Sequence, residues 1–500
     1  MENQFPSFPM LLAAFFFILI TLILSEKSKT KNLPPGPRKL PIIGNLHLFS
    51  SSYPIHHRLR DLSKKYGAVM HLKLGQVSTI GIGSPEAAKE MMKTNDVCFA
   101  DRPCYQSAEI VTYNFLDIAY SPYEDYWRQL RKICTVELLS AKRVQSFRSI
   151  REEEVANLIR DISSSSGKPF NLSKRIFALT YSITARVSFG DKCREQDAFI
   201  SAAEKIMQTT GFDLADLFPS LKFLGWFSEM RTRLMNAHDE ADRIIESIIN
   251  DHRANKKTTE TEDIVDVLLK LQDNGNLQFP LTNTNIKAVI LDLFVAGSET
   301  SSTTVEWAMS EVLKNPRILS KAQEELRRIF DKKGKVDEEG LQESHYLKLV
   351  IKETLRMHPP GPLLLPRECR ESCQLNGYNI PAKTKVIVNA WALARDPNYW
   401  TEPDTFYPER FLDSTVDFKG NNYEFIPFGA GRRICPGISF ATPNMELPLA
   451  NFLYHFDWQL PGGMKLENLD MRDGDFGSTI TRRNDLVLIP VPYHPPTMEA

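Results

Sequence analysis

The sequence predicts a mainly α protein with small β-sheets (α+β), carried in one large body behind a short N-terminal segment. Three observations support this. Helical patterns run from about Tyr123 to Leu355 and dominate the chain. Strand-like runs are short and lie outside that series, at Val69–Leu74 and Val77–Ile82 ahead of it and at Lys385–Val388 and Leu486–Pro490 behind it. No βαβαβ succession and no G-x-G-x-x-G fingerprint is present, so a dinucleotide-binding fold is not expected.

Taken in order, the first feature is Phe5–Leu24, an almost wholly apolar, uncharged run long enough as a helix to span about 30 Å. Lys27, Lys29 and Lys31 follow it, and only Glu2 precedes it. Residues 1–32 are therefore expected to be an uncleaved, single-pass membrane anchor that leaves the body cytosolic. A cleaved signal peptide fits less well, because the positive charge follows the apolar run. Leu33–Pro37 reads LPPGP, and clustered prolines end any helix and stiffen the chain. Residues 33–37 are expected to act as a hinge, with residues 38–500 forming the body.

Five hundred residues exceed the usual single domain, yet one large domain plus an anchor accommodates them. The net charge of −1 gives no support for nucleic-acid binding. Seven cysteines (98, 104, 134, 193, 369, 373 and 435) are odd in number and scattered, which argues for a reduced, cytosol-facing protein. Cys369 and Cys373 stand four apart, but no second pair of Cys or His completes a zinc site, so both are expected to be structural. Ser163–Ser166 is the one low-complexity stretch and is expected at a loop tip.

The stretch Phe425–Gly437 reads FIPFGAGRRICPG. Phe428, Gly431, Arg433, Cys435 and Gly437 give the spacing F-x-x-G-x-R-x-C-x-G. A Gly-rich turn with a structural cysteine would account for a glycine pair and a thiol, but not for all five positions. The pattern suits a haem-iron thiolate at Cys435. Gly429 and Gly431 allow a tight turn close to a flat ring. Arg433 would pair with a haem propionate. The amides of Gly437 and Ile438 would point at the sulfur and favour the thiolate. Phe428 would cover the ring. No C-x-x-C-H occurs, so the haem would be held non-covalently.

On these residues, and on SPYEDYWRQLRKIC, DLFPSLKFL and PFGAGRRICPGISF, nearly the whole chain resembles the cytochrome P450 monooxygenases of the microsomal plant type, in particular hydroxylases of terpenoids and terpenoid indole alkaloids. The resemblance implies the P450 fold, haem b (iron protoporphyrin IX), an endoplasmic reticulum membrane location and an apolar small-molecule substrate. It also implies NADPH–cytochrome P450 reductase as electron donor, in keeping with the missing nucleotide fingerprint.

The resemblance also assigns further residues. Ala296-Gly297-Ser298-Glu299-Thr300-Ser301 lies in a long apolar helical stretch, where a glycine costs up to about 1 kcal/mol and needs a reason. Ala296 and Gly297 would open a groove for O₂ on the distal haem face. Thr300 would be the alcohol and Glu299 the acid of a proton relay, since O–O cleavage needs two protons. The plainer reading of the same residues is a polar helix face with hydroxyls bonded to the preceding turn. Glu353 and Arg356 share one helix face, and Arg410 in PERF would complete a triad that supports the cysteine loop. Trp127, Arg131 and Arg367 would reach the haem propionates. The substrate pocket would include Phe115, Phe294, Leu363, Leu364, Thr479 and Ile480. Basic residues Arg128, Lys132, Lys142 and Arg143 would dock an acidic reductase or form an ordinary solvated surface. Pro443 departs from the family, whose members usually carry an ordinary helix former there, and a helix-interior proline costs roughly 3 kcal/mol.

The leading reading is a membrane-anchored haem-thiolate monooxygenase of an apolar plant metabolite. The competitors are a reductase-independent haem-thiolate isomerase or lyase, against which Glu299-Thr300 counts, and a non-enzymatic haem-binding membrane protein.

Overall fold

The computed structural model describes residues 32–49, 53–190, 195–209, 214–254, 262–474 and 479–494. The anchor expected at Phe5–Leu24 lies outside them. Among the described residues no helix is long and apolar enough to cross a membrane.

Helices make most of the body. Those that position the site are α1 (Ile55–Tyr66), α2 (Asp125–Ile133), α3 (Arg148–Ser164), α4 (Leu172–Phe189), α5 (Glu229–Ala254), α6 (Asn283–Lys314), α7 (Pro316–Phe330), α8 (Tyr346–Met357) and α9 (Ile438–His455). The central one is α6. Thr282 caps it, accepting from the Asn285 amide while the Asn285 side chain accepts from the Thr282 amide, so two orphan donors are satisfied reciprocally. Its second half is buried almost all round, and it packs along α4 and across α9. That burial sets α6 inside the body even though Ser298, Thr303, Glu306 and Ser310 are buried along it beside the apolar residues.

Three small sheets flank the helices. The first has the order β1 (Val69–Leu74), β2 (Val77–Ile82), β7 (Lys385–Val388), β4 (Arg367–Glu368). β1 and β2 form an antiparallel hairpin turning at Gly75, which takes φ +60°. β2 and β7 run parallel, and β4 pairs antiparallel with β7, setting Arg367 opposite Val386. A second sheet joins β3 (Phe170–Asn171), β9 (Val487–Pro492) and β8 (Phe456–Gln459), and β5 (Cys373–Leu375) with β6 (Tyr378–Ile380) makes a separate hairpin. The last strand starts one residue later and ends two later than its apolar run suggested.

The 33–37 segment is fastened to the body: Pro34 and Pro37 are buried, and the Pro35 carbonyl accepts from the His71 amide at 2.9 Å. Ser163 and Ser164 belong to α3, and the loop begins only at Ser165. α9 continues through both Pro443 and Pro448, so the proline departure does not end the helix. Cys369 and Cys373 are joined by a third thiol, Cys98, which sequence spacing could not reveal.

Candidate active site

Cys435 sits at the mouth of α9, and the loop before it is tightly determined. The Cys435 amide donates to the Phe428 carbonyl at 2.9 Å, and the Gly437 amide donates to the Cys435 sulfur at 3.3 Å. Gly437, not Ile438, is the residue among those described whose amide reaches Sγ. Burial pushes the thiol up; the Gly437 amide and the Arg131 guanidinium oppose that by favouring the thiolate. Gly431 has φ +69°, and a Cβ there would meet the Met92 carbonyl at 2.3 Å. Only glycine serves at that position. The Arg432 amide donates to Asp96 at 2.9 Å, which ties the loop to the 95–98 turn.

Two of the three arginines assigned to propionates, Arg433 and Arg367, have protein partners. Arg433 donates to the carbonyls of Ala100, Ile118 and Ser121, and its guanidinium lies 4.2 Å from the Trp127 ring centroid. Trp127 donates its indole N–H to the Ile118 carbonyl at 2.9 Å. Arg367 pairs with Asp96 at 3.2 Å and donates to the Ala430 carbonyl at 2.7 Å, bolting the cysteine loop to β4. Arg131 meets no carboxylate among the described residues within ion-pair distance, and burial lowers its pKa.

Across the cavity stands α6. Ala296, Gly297, Glu299 and Thr300 all face it. A Cβ on Gly297 would stand 3.3 Å from the Phe440 ring of α9, so the ring would have to shift by a few tenths of an ångström to admit it. The Thr300 hydroxyl donates to the Ala296 carbonyl at 2.7 Å, the plainer arrangement foreseen for this helix face. Glu299 accepts from the Thr479 hydroxyl, while its second oxygen, Oε2, is buried without a partner. Burial raises the Glu299 pKa, and the Thr479 bond offsets part of that rise.

Between these walls lies a cavity of about 430 Å³, mostly apolar, within the range of small-molecule sites. Leu364 and Thr479 line it. Four other expected pocket residues do not. Phe294 is fully buried among Tyr181, Phe189 and Phe199, on the side of α6 turned toward α4; its neighbours Leu293 and Val295 face the cavity instead. Leu363 packs with Leu59, Met70 and Leu72. Ile480 turns to a small pocket beside Trp307 and His358. Phe115 stands off the wall, which is formed there by Asp117, Ile118, Ala119 and Tyr120.

The triad residues meet. Arg356 makes a two-pronged pair with Glu353 at 2.7 and 2.8 Å, and Arg410 joins the same carboxylate at 3.0 Å. Glu353 and Arg356 are 0% exposed, and the remaining Arg356 donors go to the carbonyls of Ala394, Pro403 and Thr405. An aromatic chain leads from there to the cysteine loop: Arg356 over Trp400, then Phe425, Phe418 and Phe428, with ring centroids 5.3–6.3 Å apart.

A sequence model of cytochrome P450 matches residues 34–486. The chain belongs to the cytochrome P450 family. It is 52% identical to premnaspirodiene oxygenase of Hyoscyamus muticus over 97% of this chain and 98% of that one. It is 53% identical to desmethyl-deoxy-podophyllotoxin synthase of Sinopodophyllum hexandrum, and 52% to salviol synthase of Salvia pomifera, each over 98% of both chains. A zebra fish cytochrome P450 solved with progesterone shares the fold at TM-score 0.76 and 24% identity, covering 88% of this chain and 100% of that one. The protein is thus a P450 monooxygenase, and its cofactor is haem.

The P450 site fits that group. Arg102, Arg131, Arg367 and Arg433 converge on one cavity with Asp96 as their only ion-paired carboxylate among the described residues. Burial and the nearby Arg102 and Arg367 charges press Arg433 down to about 8. Buried cations held together this way call for an anion, which the two propionates would supply. Sequence reading missed Arg102 and Asp96, whose spacing carries no signal. It also missed Asp292, although a carboxylate inside the apolar run of α6 was a visible anomaly. Asp292 accepts from the amides of Ile118 and Ala119, both at 3.1 Å. Of the basic surface residues, Arg128 pairs with Asp125 and Arg143 with Glu262, while Lys132 and Lys142 are exposed.

Proposed function

We propose that this P450 hydroxylates or oxidatively rearranges an apolar plant specialised metabolite, a terpenoid or terpenoid indole alkaloid, with electrons from NADPH–cytochrome P450 reductase. Residues 1–32 would anchor it in the endoplasmic reticulum membrane with the catalytic body cytosolic. The observation that carries the reading is one apolar cavity with the Cys435 sulfur on one wall and the Glu299–Thr479 and Thr300 hydroxyl groups on the other. Relatives named for premnaspirodiene and salviol support the terpenoid class. Exposed Lys132 and Lys142 support a basic docking face for the reductase.

Bound haem supplies the oxygen-activating redox chemistry. Cys435 would hold the iron through Sγ, its charge shared with the Gly437 amide. Arg131, Arg433 and Arg367 would steady the propionate edge. Glu299, whose pKa burial raises, would pass a proton from Oε2 into the cavity. Thr300 would turn its hydroxyl from the Ala296 carbonyl toward the cavity to accept and relay it. The apolar walls exclude water and orient the substrate by shape.

The test reconstitutes the full chain with the reductase and screens terpenoid and alkaloid panels under NADPH and air. Oxygenated product that requires the reductase supports the proposal; product formed from a peroxide substrate without reductase would assign the isomerase chemistry instead. Cys435→Ala is expected to fold yet give no thiolate-type CO spectrum.

A further inference from the structure

We propose that Cys98, Cys369 and Cys373 form a binding site for one thiophilic d¹⁰ cation of the zinc class, outside the haem cavity. Cys369 follows β4 and Cys373 opens β5, while Cys98 arrives from the 95–98 turn 271 residues earlier. The sulfurs of Cys98 and Cys369 are 3.6 Å apart and those of Cys369 and Cys373 are 3.8 Å apart, with all three inside 4.8 Å of one another.

Those distances match metal ligation. Tetrahedral Zn–S bonds of about 2.3 Å set sulfurs about 3.8 Å from each other. A disulfide needs about 2.05 Å and takes only two of the three thiols. The Cys369-x-x-x-Cys373 spacing also falls within the two-to-four-residue gap usual between paired zinc cysteines.

The backbone around the thiols is fixed independently of them. The Arg370 amide donates to the Cys98 carbonyl at 2.8 Å, the Cys369 amide to Thr384 at 2.9 Å, and the Lys383 amide to the Cys369 carbonyl at 2.7 Å. The Glu371 carbonyl lies 3.3 Å from the Cys98 sulfur and 2.9 Å from that of Cys369, on hand for the fourth coordination position directly or through water. Cys369 is buried while Cys98 and Cys373 are partly exposed, which gives the ion a path in from solvent. Binding needs no oxidant: the cation displaces the thiol protons to the buffer as the three metal–sulfur bonds form.

The site would pin the 95–98 turn to the 369–373 loop. Asp96 of that turn holds both Arg367 and the Arg432 amide, so the cation would brace the cysteine loop from outside.

The experiment uses the full-length holoprotein, purified under reducing conditions, given one equivalent of Zn²⁺ and desalted. Metal analysis is expected to find one zinc per chain, and X-ray absorption at the zinc edge, separate from that of haem iron, to find three sulfurs at about 2.3 Å. Cys98→Ser and Cys373→Ser are each expected to lower zinc affinity at least tenfold while haem content stays at the wild-type level. The proposal is overturned by any one of four results: no zinc retained; a shell of nitrogen and oxygen only, as His56, His57 and Asp473 would give; wild-type zinc affinity in both serine variants; or a disulfide among the three cysteines in the reduced protein. The wild-type spectrum decides the matter even where a variant fails to fold.

Discussion

Thr479 donates its hydroxyl to the carboxylate of Glu299, joining the C-terminal segment to the middle of α6 across 180 residues. The bond leaves Glu299 one orphaned oxygen in a buried setting, so the acid is held but not fully satisfied. In the proposed relay such a group would exchange a proton with a neighbour. Thr479 was expected to touch substrate; its contact with Glu299 gives it a second duty. In Thr479→Val the carboxyl loses the one contact that lowers its pKa, so the pKa rises further. Product formed per NADPH consumed is expected to fall in Thr479→Val, and its pH dependence to move upward. Thr300→Ala is expected to lower the same ratio with haem retained. Wild-type ratios in both variants would mean the relay runs elsewhere.

Arg356→Ala is expected to be severe. It removes the two-pronged partner of a buried Glu353, leaving that carboxylate to Arg410 and the Tyr407 amide, and it takes a donor from the Ala394 and Pro403 carbonyls; breaking a buried ion pair costs about 3–5 kcal/mol. Lysine cannot restore the two-pronged geometry. Haem content and melting temperature are the readouts, with Arg356→Lys expected between the wild type and alanine. Normal haem loading in the alanine variant would remove the triad from the support of the cysteine loop.

Asp292 offers a pH test. Burial lifts its carboxyl from 3.8 to about 6, against the pull of the Ile118 and Ala119 amides and the Arg102 charge. A raised folded pKa means that its contribution to stability is complete below about pH 4 and is lost as pH climbs through about 6. Asp292→Asn keeps an acceptor oxygen for both amides and carries no charge. Its melting temperature relative to wild type is therefore expected to rise between pH 4 and pH 7. A difference that stays flat with pH would mean that the carboxyl does not titrate in this window.

The cysteine loop was legible because Gly431, Cys435 and Gly437 fall at a fixed short spacing, although the Met92 carbonyl that demands glycine at 431 lies far away in sequence. The first two strands and β7 were legible for the same reason. What escaped was the facing of side chains and the spending of donors. Phe294, Leu363 and Ile480 each lie one residue from a position that does line the cavity, and a one-residue step turns a side chain about 100° on a helix or to the other face of a strand. Leu364 even takes φ +52°, a turn that no apolar pattern announces. The carbonyl partners of Arg433 were hidden because they belong to Ala100, Ile118 and Ser121, more than 300 residues away. The Cys98–Cys369 contact was hidden in the same way, across 271 residues.

These facings separate specificity from stability. Leu364 looks across the cavity, its Cδ1 3.9 Å from the position a Cβ on Gly429 would take, whereas Leu363 and Phe294 belong to the core. Removing a methylene at Leu364 changes the space beside the substrate, and such changes are worth about 1–3 kcal/mol of discrimination. Leu364→Val is thus expected to shift product ratios or substrate preference while haem content holds. Leu363→Ala is expected to cost about 2–5 kcal/mol of stability and Phe294→Ala about 3–5, with product ratios unchanged in the protein that remains folded. Product analysis beside thermal melts reads both effects. If Leu363→Ala alters the product profile and Leu364→Val does not, the turn at residues 363–365 presents the opposite side chain to the substrate.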